Sequence, residues 1–112
     1  MSDEPLVIPR RLAIQILHAA QAAQPAAVRG VVSACDGEPT RFHPEPEALA
    51  SGERLWARMW SQPQAAAVPA ATELDGETTS LVVSLNTKGV LEMRAWQLEA
   101  GQVCERPLTV RD

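Results

Sequence analysis

Few side chains of this chain are placed to do chemistry. It has two histidines, His18 and His43, and two cysteines, Cys35 and Cys104. Neither pair has H-x-x-H or C-x-x-C spacing, so a metal centre drawn from His43, Cys35, Cys104, Glu45 and Glu47 lacks the local pattern that gathers ligands. No G-x-S-x-G turn sets a serine beside a base. The cysteines read as reduced core thiols, with a disulfide or redox role as the alternative. The carboxylates of DGEP and LDGET fall in turns and read as solvated. What remains is a spacing. Residues 60 to 73, WSQPQAAAVPAATE, distribute Trp60, Gln62 and Glu73 around two prolines and five alanines.

These residues need elements to hold them. Residues 10 to 24 follow a 3.6-residue period: Leu12, Ala13, Ile16, Leu17, Ala20 and Ala23 share one side, and Arg10, Arg11, Gln15, His18 and Gln21 the other. Pro9 suits the first helical position and Pro25 ends the run. Ile14 falls on the polar side, and His18 reads as solvated. VRGVVSAC predicts a buried strand, and Asp36-Gly37 a tight turn into a second strand near Thr40 to His43. A short helix is expected at 45 to 51. LWARMWSQ alternates as a central strand, with Trp56, Arg58, Trp60 and Gln62 on one face and Leu55, Ala57 and Met59 on the other. Three readings of Arg58 are open, stacking on an indole, pairing with Glu73 or snorkelling outward, with the last expected, and Trp60 reads as a cavity filler or as a partner contact. A loop from Pro63 to about Ala71 leads to a short helix and then to SLVVSLN, VLEMRAWQLE and QVCERPLTV. Turns near Thr87-Lys88-Gly89 and Ala100-Gly101 make this tail a β-meander. The elements describe an α/β fold with a mixed sheet sandwiched by helices.

Composition narrows the classes further. A chain of 112 residues with 46% hydrophobic content closes one core, read here as a single domain over 8–112 behind an arm at 1–7. Ten basic and fourteen acidic residues give a net charge of −4 with no positive footprint, which argues against nucleic acid. The acidic start MSDEP and the prolines that interrupt its apolar run do not read as a secretory signal, and no window has the length of a membrane span. A cytoplasmic setting is expected.

The element order and punctuation resemble the JAMM/MPN domain family, whose active members are zinc isopeptidases or peptidases acting on ubiquitin or on bacterial ubiquitin-like sulfur carriers. That family's motif is H-x-H-P-x(5)-P-S-x-x-D, preceded by P-x-E-x-x-G at the end of the first helix. Residues 60 to 73 preserve every spacing of the first motif, and Pro25 and Gly30 stand in register with the second. The resemblance extends from about Ile8 to Val110. It implies a cytidine-deaminase-like α/β architecture and assigns a role to each position. Trp60 and Gln62 stand where histidines would hold zinc, and Glu73 where an aspartate would. Ala27 replaces the glutamate that would deprotonate the attacking water, and Ala70 the serine that would steady the oxyanion.

An indole nitrogen has no lone pair to give, a carboxamide is a poor zinc ligand, and a methyl group relays no proton. The resemblance therefore implies a catalytically inactive, cofactor-free member of a metallopeptidase fold, acting by binding protein. Trp60, Gln62, Glu73 and Arg58 are the expected contact residues. The implied partners are a ubiquitin-like sulfur carrier or its activating enzyme, an active homologue, or a second copy in a homodimer. The edge strands of the meander and the Ile14 side of the helix are candidate surfaces. The alternatives are a metal peptidase with displaced ligands, and a small-ligand sensor using the vestigial pocket. Gln62 and Glu73 are also placed to hydrogen-bond each other or solvent across that pocket.

Overall fold

A computed structural model describes residues 5–43, 52–85 and 91–111. Their elements are β1 (Leu6–Pro9), α1 (Arg10–Ala22), β2 (Arg29–Cys35), β3 (Glu38–His43), β4 (Arg54–Gln62), a single 3-10 turn (Ala71–Glu73), β5 (Thr79–Ser84), β6 (Glu92–Glu99), β7 (Gln102–Arg106) and β8 (Leu108–Arg111). The expected short helix at 45–51 and the turn at 87–89 lie outside the described residues.

The main sheet runs β3-β2-β4-β5-β6-β7, with β4 and β5 parallel and every other neighbour antiparallel. This is the expected mixed α/β sheet. Two sequence signals set its hairpins. Asp36 (φ 53°) and Gly37 (φ 84°) take up the left-handed conformations that a two-residue turn between twisted strands requires, as do Ala100 (φ 51°) and Gly101 (φ 79°).

One face of the sheet is covered by α1. Leu12, Ala13, Ile16 and Ala20 of the helix, with Ile8 of β1, pack on Val32, Phe42, Ala57, Met59, Leu81, Val83 and Ala95. Ile14 is 58% exposed and His18 is also exposed, as the helical period requires. The helix stops at Ala22 rather than at Gln24. A proline disfavours helical geometry in the residue before it, so the last turn closes early on the Ala23 N–H to Ala19 carbonyl bond.

The opposite face is covered by the Pro/Ala loop. Ala67 and Leu74 pack with Val82 and Trp96 into a second, smaller core, flanked by Trp60, Leu98 and Val103. Two features of the sequence reading change here. Leu6–Pro9 forms a strand where none was expected. The tail is not one continuous meander: Pro107 offers no N–H to a ladder, and the chain beyond it leaves the main sheet so that β8 pairs in parallel with β1. Leu6 N–H seals the junction by donating to the Pro107 carbonyl at 2.8 Å. The cysteines are free but do not belong to either core. Cys35 ends β2 at the hairpin and is exposed, and Cys104 on the sheet edge is half-buried.

Candidate functional site

β4 carries the residues of interest: Arg58, Trp60 and Gln62 lie on the face away from α1, whereas Trp56, expected beside them, packs against the core under the helix. Arg29 of β2 lies directly opposite Trp60, and Val31 opposite Arg58. Arg29, Gly30, Val31, Arg58, Met59, Trp60 and Glu73 line a cleft of about 270 Å³. The structure thus brings Arg58, Trp60 and Glu73 to one opening. Gln62, Ala27 and Ala70 are not among its lining residues.

Arg58 does not snorkel outward. Its Nη2 donates to the Glu73 carbonyl at 2.7 Å and to Ser80 Oγ at 3.2 Å, its Nε lies 3.8 Å from Asp75 Oδ2, and its guanidinium sits 5.5 Å from the centre of the Trp60 ring. A guanidinium offers five donors in a rigid plane, so it gathers neighbouring acceptors on a sheet surface where an ammonium would remain solvated. Asp75 closes this arrangement. Its Oδ1 accepts the N–H groups of Glu77 (2.9 Å) and Thr78 (2.8 Å), and these bonds, then Arg58, hold its carboxyl below the usual carboxylate range. Asp75 was read as a solvated turn residue. The D-G dipeptide marked the turn, and nothing in the local sequence marked the arginine that reaches it.

The groups at the ligand positions of the implied zinc site are turned to other bonds. Trp60 Nε1 donates to Gln62 Oε1 at 3.0 Å. Gln62 Nε2 donates to the Ala66 carbonyl at 2.6 Å and, more weakly, to that of Val68 at 3.4 Å. Glu73 Oε1 accepts the Ala70 N–H at 2.8 Å, capping the 3-10 turn. Gln62 and Glu73 therefore do not bond each other: Gln62 faces the loop while Glu73 faces its own turn. This donor set does not fit zinc. Trp60 has no lone pair to offer, the Gln62 oxygen already accepts an indole proton, and a single carboxylate cannot hold the ion.

The loop itself is fastened through its backbone. Ser84 Oγ of β5 donates to the Ala65 carbonyl (2.6 Å), Gln62 of β4 to that of Ala66, and Trp96 Nε1 of β6 to that of Ala67 (2.9 Å). Three successive carbonyls are thus held by three neighbouring strands. Small side chains let the backbone approach the sheet this closely, which gives the run of alanines a structural reason.

Gly30, the residue in register with the upstream motif, is also explained by contact. A Cβ there would fall on the carbonyl oxygen of His43 and against the Phe42 ring.

A second polar cluster lies at the far end of β2. Ser33, fully buried, places Oγ 3.0 Å from His43 Nε2 and 3.0 Å from Glu53 Oε2. An ionised carboxylate only accepts, so Ser33 gives its one proton to Glu53 and His43 supplies the Nε2–H. We assign that tautomer from the network. Ser33 then faces a protonated nitrogen rather than a base, so the arrangement holds β3 to β2 and does not prepare a nucleophile. The sequence carries no local signal for it, because its members are separated by about a strand length each. Among the described residues no three His, Cys, Asp or Glu side chains gather as a metal cluster.

No family model matches the sequence, and no curated protein matches it. Solved structures do. A protein from Desulfitobacterium hafniense aligns with a TM-score of 0.78 at 17% identity, covering 96% of this chain and 93% of its own. A JAB1/MPN domain protein from Archaeoglobus fulgidus aligns with a TM-score of 0.66 at 16% identity, covering 95% and 99%. A structure described as a metalloprotease-like zinc site in the proteasome and signalosome aligns with a TM-score of 0.71 at 17% identity, covering 97% and 100%. With the mixed sheet, the helix on one face and the punctuated loop on the other, these alignments establish that the chain has the JAMM/MPN fold.

Proposed function

We propose that this chain is a non-catalytic member of the JAMM/MPN fold that binds protein through the cleft beside Trp60. One observation carries the reading. Trp60, Gln62 and Glu73, at the three positions that the resemblance assigns to zinc ligands, are each engaged in a bond within the sheet or loop, while the cleft that Trp60 and Glu73 border stays open. The general-base and oxyanion positions, Ala27 and Ala70, offer no acid and no side-chain donor. Each of those roles is worth on the order of 10²–10⁴ in rate, so a site lacking both supports binding rather than turnover.

The cleft supplies chemistry suited to a chain segment. Arg29 lines it and makes no ion pair among the described residues, Trp60 offers an aromatic face, and Glu73 also lines it. An extended, carboxylate-ended tail, as a ubiquitin-like sulfur carrier has, is the partner chosen for test. The experiment adds such a carrier bearing a short C-terminal extension, measuring affinity by calorimetry and carrier mass by mass spectrometry. The expected result is saturable binding with the carrier mass unchanged, weakened roughly tenfold or more by Trp60→Ala or Arg29→Ala. A shortened carrier would show catalysis and overturn the non-catalytic reading. An absence of binding would overturn this partner.

A further inference from the structure

The main sheet ends on β7. In the two-residue hairpin at Ala100-Gly101 the flanking pair Glu99 and Gln102 is the hydrogen-bonded one, and pairs alternate from there. Gln102, Cys104 and Arg106 therefore direct their backbone groups inward to β6. Val103 and Glu105 direct theirs outward, where no strand follows among the described residues. At the other end of the sheet β3 has α1 and β1 packed near it, so β7 is the barer edge.

The geometry points to a symmetric dimer in which β7 pairs antiparallel with β7 of a second copy, centred on Cys104. A two-fold axis through Cys104 sets Val103 of each copy opposite Glu105 of the other. Both outward residues then exchange N–H and C=O groups, giving four interchain bonds. This register uses the parity that the hairpin has already fixed. It faces Gln102 with Arg106 at both ends, so no like charges meet across the pair. Shifting the centre to Glu105 would require an N–H from Pro107, which has none. Shifting it to Val103 would pair Glu105 with the Gly101 turn. Cys104 is the middle residue of the strand Gln102–Arg106, and only centring there keeps every pair inside regular strand. The Glu105 carboxylate stays bound to Arg94 through two 2.7 Å bonds, which keeps its side chain off the edge.

The axis leaves a chemical signature. In a non-hydrogen-bonded antiparallel pair the two Cα atoms approach to about 4.5 Å, so the Cys104 thiols of the two copies come within reach of a short linker. Dibromobimane, which bridges two thiols with loss of two bromides, is the probe. Wild type and Cys35→Ser should yield a covalent dimer and Cys104→Ser none. Linkage through Cys35, or a yield independent of Cys104, would overturn the proposal. A second measurement needs no variant: amide exchange followed by NMR at rising protein concentration. The Val103 and Glu105 amides should slow at least about tenfold as the dimer fills, while the Cys104 amide, already bonded to β6, should not change with concentration. Equal behaviour of the three amides, or a monomeric mass at every concentration, would overturn it.

Discussion

Trp60 donates its indole proton to Gln62 at 3.0 Å, and Gln62 in turn fastens the loop by donating to the Ala66 carbonyl at 2.6 Å. The two side chains at the positions that the resemblance assigns to imidazole ligands thus form a structural clasp between β4 and the loop. Gln62→Ala should cost about 1–2 kcal/mol in urea denaturation, since it removes a donor to one carbonyl and the acceptor of a half-buried N–H. A change within measurement error would show that the clasp does not hold the loop.

Trp96 fastens the next carbonyl. Its ring is buried, lies 4.8 Å from the Arg94 guanidinium and donates to Ala67 at 2.9 Å. Trp96→Phe keeps an aromatic ring but removes that donor, leaving the carbonyl of fully buried Ala67 unpaired. A loss of about 1–3 kcal/mol is expected by thermal or chemical unfolding, with faster proteolysis within 63–71. Unchanged stability would mean that the carbonyl finds another donor.

Gly30 should tolerate no side chain. Gly30→Ala places a methyl on the backbone of His43, which cannot withdraw without breaking the β2–β3 ladder. The expected loss is about 3 kcal/mol or more, beyond the ordinary cost of overpacking. Near-native stability would show that the ladder yields there.

Two carboxylates tie stability to acid. The backbone N–H groups of Thr78 and Glu77, then Arg58, lower Asp75; the hydrogen bonds from Arg94 lower Glu105. A carboxyl titrating lower in the folded than in the unfolded chain contributes stability that is present above its unfolded value and disappears as pH falls through the folded one. Urea midpoints should therefore drop as pH falls below about 4.5, and the double variant Asp75→Asn, Glu105→Gln should drop less. Both groups are partly exposed, so salt should shrink the difference. A double variant as acid-sensitive as the wild type would assign the effect elsewhere.

Local periodicity was enough to read α1, the two hairpins and β4, because each rests on a pattern within one segment. β1 and the departure of β8 from the meander were not legible, because their pairing joins Leu6 to Leu108 across the whole chain. The site divides in the same way. The spacing from Trp60 to Glu73 was visible, and the structure places both residues on one cleft. Stacking on an indole and pairing with Glu73 were open readings of Arg58, but snorkelling was expected, because its acceptors at Glu73, Asp75 and Ser80 are distant in sequence and meet only when β4 pairs with β5. The bonds that occupy Gln62 and Glu73 lay with the backbone of the alanine loop, where side-chain identity gives no hint.

The central proposal is that this JAMM/MPN fold uses the positions that the resemblance assigns to zinc ligands to hold its loop rather than a metal. The most direct test is the zinc content of the wild type after incubation with excess zinc and desalting, measured by mass spectrometry beside the variant Trp60→His, Gln62→His, Glu73→Asp. Wild type should retain well under one equivalent, and the variant more. Stoichiometric zinc in the wild type, reduced by Gln62→Ala or Glu73→Ala, would contradict the account.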